Sequence, residues 1–520
     1  MLRSGLLGLV SLVGLVGCGA AAQSGPSGAQ GPTERWQGRV TYEARHPTPQ
    51  GASREVTLHP ARFVVVEAID GDGEVLARTA TGADGSFAIE APADAEALRV
   101  RARIEDPFRL SVTKDALGQE EHAFGVPLGA PTMFLDITAN ESSPEGYAGA
   151  FHVLDTELRG LEAVYRWTGR RLPPLYTYWG RGLTTAWSYY RGERPSGSGR
   201  YCLELLGGAP GQQATSDTDE HDEAIVLHEL GHFVMDRLST DSSPGGNHPA
   251  GVLLDPGLAW EEGRATWFAA AVLGEPRYLD TIGVEPHGRL RVRHDLESGG
   301  VGVRGVGSEQ GVAEILWDLT DGADGVADAD GDGVALGPAA VLSAMMTLGE
   351  VPGAYPNVST FLAHVLREQS LARHDVKLLL ARGGHPGTML PEDEARPWPF
   401  DVTVPGGASG KIDGLSNPAP NGSPNRPDTG LDAVHVYRVR VERDGWLGVQ
   451  LRIFGSGRAR DRSDLDVEVR DIRANLLASA RSEQPVERVM HRVSPGWYVI
   501  YVRDGGSGNQ AGYDLRVWNE

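Results

Sequence analysis

The chain has 520 residues, too many for one hydrophobic core, and length alone predicts about two to four domains. Its 69 glycines and 33 prolines suit a globular protein with many loops and linkers. A formal charge of −22, from 48 basic and 70 acidic side chains, argues against nucleic acid as a partner, which requires a basic surface. The same acidity serves solubility and leaves divalent cations as ligands to consider.

In chain order, Arg3 and the apolar run Leu6 to Val16 form the charged and hydrophobic parts of an export signal, too short for a permanent membrane span. The run ends in Leu15-Val16-Gly17-Cys18, which resembles the bacterial lipoprotein lipobox. That resemblance implies cleavage before Cys18, lipid on Cys18, and an exported protein whose only membrane contact is the anchor. Gly19 rather than Asp follows the cysteine, which points to the outer membrane. The other cysteine, Cys202, then has no partner, and its apolar surroundings predict an inert buried thiol. Residues 19–35 are small, polar and rich in Gly and Pro, as expected of a flexible tether.

Residues 36–137 alternate short apolar runs with Asp-Gly turns at Asp70-Gly71, Asp72-Gly73 and Asp84-Gly85, the pattern of an antiparallel β-sandwich. The stretch Thr81 to Phe87 resembles the signature of the carboxypeptidase-regulatory-like family, which implies fold rather than activity. Residues 138–395 change to helical periodicity, interrupted by two strand-like runs, RRLPPLYTYWG and RYCLELLGG, and are expected to form an α+β domain. Residues 396–430 form a second expected linker. Residues 431–520 again predict a sandwich, and their GWYVIYV and AGYDLRV runs resemble the bacterial pre-peptidase C-terminal family.

The chemistry concentrates in the stretch DEAIVLHELGHFVMDRLS, residues 222–239. On a helix, His228 and His232 stand one turn apart on one face and can reach one ion, with Glu229 beside the position of an attacking water. This is the H-E-x-x-H arrangement of two zinc ligands and a general base. Apolar residues surround the rest of the helix, so it is buried, and three buried polar side chains without partners would cost several kcal/mol. A third ligand is required. Leu238 stands where a metzincin has its third histidine, which excludes that class.

The later run GLAWEEGRATWFAAAVLG resembles the third-ligand helix of gluzincin peptidases and implies Glu262 as the third zinc ligand, with Glu261 as the competing choice. HELGHFVMD resembles the thermolysin-type pattern, which implies that Asp236 hydrogen-bonds His228 and fixes its tautomer. The 29 residues between His232 and Glu262 exceed the thermolysin spacing and include a Gly/Pro loop carrying His248, read as a surface histidine. The central domain as a whole resembles an uncharacterised bacterial zinc-protease family of the gluzincin type. The resemblance implies that zinc activates water for peptide hydrolysis, with Glu229 as base. A donor to the oxyanion is implied beyond the third ligand, from among Tyr278, His287 and His294. The run at residues 200–208 is expected to be the strand edging the cleft, where a peptide would pair.

Asp328, Asp330 and Asp332 reproduce the first half of an EF-hand-type loop, although Ala339 replaces its glutamate, so they are candidate Ca²⁺ ligands. The expected architecture is multidomain: an α+β zincin-like metallopeptidase domain flanked by two all-β sandwiches, a monomer acting on peptide or protein. Two other readings remain: a non-catalytic surface lipoprotein that binds partners through its sandwiches, and an aminopeptidase in which Glu309 anchors the substrate's amino terminus.

Overall fold

The computed structural model describes residues 32–131, 133–249, 251–298, 302–323, 331, 333–369, 371–390, 399–412, 434–454, 464–504 and 511–520. Cys18 of the expected anchor, and Asp328, Asp330 and Asp332 of the expected calcium loop, lie outside them.

The N-terminal β region forms because its strands alternate. Ala97–Ile104 is half-exposed and buried at successive residues, as a strand packed on one face must be. One sheet has Thr33–Ala44 at its centre, parallel to Phe134–Ala139 and antiparallel to Thr57–Pro60 and Ser86–Pro92. The facing sheet does not stop at the expected domain boundary. It runs Tyr189–Glu193, Tyr201–Glu204, Leu175–Tyr178, Leu110–Thr113, Ala97–Ile104, Val64–Ile69, Val75–Ala80, with Ala123–Pro127 also on Ala97–Ile104. Leu110–Thr113 pairs in parallel with Leu175–Tyr178, carrying the sheet from the N-terminal region into the central one. One hydrophobic core accordingly runs from Trp36 to Leu390. The expected separation at 137/138 is therefore corrected: the N-terminal sandwich and the α+β region are fused. Leu110–Thr113 is buried at all four positions and needs a strand on each side. Its second partner lies more than 60 residues away, beyond the reach of a local pattern.

Seven helices are described: α1 (Tyr147–Thr168), α2 (Glu223–Leu238), α3 (Pro256–Leu273), α4 (Glu309–Asp318), α5 (Pro338–Glu350), α6 (Val358–Glu368) and α7 (Arg373–Arg382). Their ends carry local signals. Asp255 accepts from the Gly257 N–H ahead of Pro256, Ser308 accepts from Gly311, and Asn357 forms a capping box with Thr360. Helices α2 and α3 pack closely because glycine stands at the contact: a Cβ on Gly231 would lie 3.1 Å from Ala265 Cα. A Cβ on Gly263 would meet Val312 at 2.6 Å, so α4 sits equally close on the other side of α3. No helix among the described residues is long and apolar enough to cross a membrane.

The C-terminal region is two sheets around its own core of Val, Leu, Ile and Tyr side chains. It begins earlier than expected. Phe400–Val402 pairs with Val434–Val441, and Gly406–Ile412 pairs with Ala511–Asn519. Both strands fall in the stretch expected to be a linker. Their glycines suggest a loop, yet a Cβ on Gly407 would lie 2.4 Å from Leu515 O, so glycine there permits close strand approach.

Candidate metal centre and cleft

Helix α2 presents His228 and His232 on one face, their rings 4.8 Å apart and nearly perpendicular. Glu262 approaches from α3. His228 Nε2, His232 Nε2 and Glu262 Oε2 form a triangle whose three sides are each 3.2 Å. Tetrahedral donors at zinc–ligand distances of about 2.0–2.1 Å stand about 3.3 Å apart, so the donor set fits a zinc ion. Burial disfavours ionised Glu262, but His232 and His228 outweigh it and hold the carboxyl well below its ordinary range.

The groups behind the triangle orient it. His228 Nδ1 lies 3.1 Å from Thr266 Oγ1, one turn beyond Glu262 on α3. His232 Nδ1 faces Glu261 Oε1 at 3.6 Å, and Glu261 is held on its other side by Arg264. The two adjacent glutamates thus have different places: Glu262 faces both Nε2 atoms, and Glu261 lies behind one ring. Asp236 does not contact His228, contrary to expectation. Its carboxylate accepts from the Tyr190 hydroxyl at 2.5 Å and from Arg237 at 2.9 Å. The partner the resemblance assigned to Asp236 is replaced by Thr266, whose hydroxyl was visible in the sequence only as a small side chain one turn after Glu262.

Glu229 is buried beside the triangle. Burial raises its pKa, and the charge of Glu262 adds to the rise, while His228, His232 and a hydrogen bond from the Tyr190 backbone pull the other way. A carboxylate so poised takes up a proton more readily than an exposed one.

These groups lie in a cleft of about 1210 Å³, with Glu229, Tyr278, His294, His248 and Glu309 in its wall. Tyr278 sits edge-on to His228 with ring centroids 5.9 Å apart. His294 also lines the cleft but is bonded to Glu314 at 2.9 Å. His287 is not among the lining residues. His248 bridges Glu309, at 3.2 Å, and Glu262, at 3.7 Å, so the loop histidine borders the centre. The strand edging the cleft is Tyr189–Glu193. Tyr201–Glu204, within the run expected there, is covered on both sides, by Tyr189–Glu193 and Leu175–Tyr178. The Tyr201–Glu204 run is buried throughout, which suits an inner strand, whereas Tyr189–Glu193 is partly exposed. Cys202 lies buried on the inner strand, and burial pushes its thiol up to about 11, so it stays protonated.

Residues 181–348 match the Mycolysin C-terminal domain family, a stretch that contains α2, α3, α4 and most of the cleft. The chain is peptidase-related through that match. No curated protein matches the chain. Among solved structures, the pre-peptidase C-terminal domain of a Bacillus anthracis collagenase is similar at 15% identity and TM-score 0.17, over 22% of this chain and 91% of that one. The Aeromonas hydrophila periplasmic inhibitor of g-type lysozyme, PliG, is similar at 14% identity and TM-score 0.15, over 23% of this chain and 97% of that one. Likenesses at such scores carry no functional argument.

Proposed function

We propose that this protein is a zinc-dependent endopeptidase, exported and held at the cell envelope by lipid on Cys18. The observation that carries the reading is the equilateral triangle of His228, His232 and Glu262 donors with buried Glu229 alongside. Zinc held there supplies a Lewis acid that polarises the scissile carbonyl and lowers the pKa of water to about 7.

The chain's own residues supply the rest. Glu229 takes a proton from the attacking water as the new C–O bond forms, and then passes it to the leaving amine nitrogen as the C–N bond breaks. The Tyr278 hydroxyl donates to the carbonyl oxygen as negative charge collects there. Thr266 and Glu261 hold the imidazoles in orientation. An extended peptide lies along Tyr189–Glu193 and pairs with its open edge, which favours a peptide over a small ester.

Zinc content and digestion of a peptide library, compared between wild type and Glu229→Gln, test the reading. Equal zinc in both with turnover only in wild type is the expected result. Equal turnover removes Glu229 as base, and zinc binding without cleavage by either protein overturns the peptidase reading. Glu309 in the cleft wall favours a second reading, an aminopeptidase, which predicts that N-acetylation of peptides abolishes cleavage.

A further inference from the structure

A second group of donors lies along the same cleft, away from the histidines. Carboxylate oxygens of Asp217, Asp219 and Asp280 all lie within 4.8 Å of one another. Asp217 and Asp219 belong to the segment leading into α2. Asp280 belongs to the strand Arg277–Ile282, which also carries Tyr278. The two segments meet through a bridge between Asp217 and Ile282, and through Asp222, whose carboxylate accepts from the Thr281 backbone N–H at 2.9 Å.

The charges there do not balance. Arg291 contacts Asp217 and lies 3.7 Å from Asp280, and it is the one guanidinium in ion-pair contact with the trio among the described residues. Asp219 and Asp280 are 2% and 5% exposed, so water does not screen them. Asp280 Oδ1 is buried and has no hydrogen-bond partner among the described residues, and Asp217 Oδ1 is in the same condition. A buried carboxylate oxygen without a donor is costly, and either a proton or a cation in the space it faces relieves the cost; three such acids converging on one point suit a cation.

We propose that Asp217, Asp219 and Asp280 form a calcium site that fastens the Tyr278-bearing strand to the entry of α2. The donors are all hard oxygens, which suit Ca²⁺ rather than the nitrogen-rich environment zinc prefers. Mg²⁺ demands near-ideal octahedral geometry and is bound through one or two carboxylates, whereas three clustered carboxylates suit the larger, more flexibly coordinated Ca²⁺. The site is independent of the histidine centre and of the peptidase reading. Its residues are not the Asp328, Asp330 and Asp332 of the EF-hand-type sequence.

The test is calcium titration of the zinc-loaded full chain in metal-scrubbed buffer, by calorimetry and by terbium luminescence. Trp187 suits the second readout, because its ring centroid lies 5.3 Å from the Arg291 guanidinium. Calcium is expected to bind, to raise Tm and to displace terbium sensitised by tryptophan. Asp280→Asn and Asp219→Asn are expected to weaken binding by about tenfold or more, since each removes a charged ligand. Arg291→Gln is expected to tighten it severalfold by removing the competing cation, a change that damage to the fold would not produce. Asp330→Asn is expected to leave the terbium signal unaltered. No calcium heat in wild type overturns the proposal, as does loss of the signal in Asp330→Asn alone. If the aspartate variants do not fold, Arg291→Gln decides, and unchanged or weaker binding overturns the site. Zinc content measured on the same samples keeps a failure of the histidine centre distinct from a failure here.

Discussion

Two regions of this protein bury glutamates, with opposite results. Between α2 and α3, Glu262 faces two imidazoles at 3.2 Å, and their charge holds it ionised against the cost of burial. Where α1 packs on the large sheet, Glu157 is fully buried with the Thr177 hydroxyl as its hydrogen-bond donor, and its Oε2 has no partner among the described residues. Burial pushes its carboxyl up to about 8, and the Thr177 bond only partly offsets the rise. Burial of an acid is therefore no mark of a functional site by itself. Convergence of several donors on one point is the distinguishing feature.

The comparison is most severely tested at Glu262. Glu262→Gln removes the anionic corner of the triangle, and bound zinc is expected to fall to trace amounts with peptidase turnover at background, read by metal analysis and peptide digestion. If the variant keeps its zinc, the contrast with Glu157 loses its meaning. Next in size, Glu229→Gln is expected to keep zinc and lower kcat by about 10²–10⁴-fold, the range for a lost general base.

A smaller effect separates the two candidates for orienting His228. Thr266→Val, which preserves shape but removes the hydroxyl 3.1 Å from Nδ1, is expected to weaken zinc binding by about 10–100-fold. Asp236→Asn is expected to leave zinc affinity unchanged, because Asp236 bonds Tyr190 and Arg237 instead. Competition with a chromophoric chelator measures both.

The mildest test concerns Glu157. Its folded pKa of about 8 exceeds the ordinary 4.5, so between those values the folded protein keeps a proton that the unfolded chain has released. The contribution of this group to stability is therefore highest at low pH, falls as pH rises from about 4.5 to about 8, and is level beyond. Glu157→Gln, a neutral mimic of the protonated acid, is expected to flatten that part of the Tm–pH curve without altering zinc content. An unchanged curve would show that Glu157 is not held protonated.

What could be read in the sequence was local. The four-residue spacing of His228 and His232, and the apolar surround of their helix, follow from 3.6 residues per turn, and α2 has that form. The Asp-Gly turns and alternating strands of the β regions follow from an equally short repeat. Glycine misled where its role was nonlocal: Gly407 resembles part of a linker until Leu515 is placed against it. The Asn357 capping box of helix α6 is a local signal of the same kind.

The tertiary structure decided everything that depends on segments meeting across long separations. It set Thr266 rather than Asp236 behind His228, and Tyr189–Glu193 rather than Tyr201–Glu204 at the cleft edge. It also joined the N-terminal strands to the central sheet, and brought Asp280 to Asp217 and Asp219. The physical reason is common to all four. A helix or turn is satisfied by hydrogen bonds within a few residues, so its pattern is written in adjacent positions. Strand order and polar pairing are settled by which distant surfaces bury together, and no short stretch of sequence records that choice.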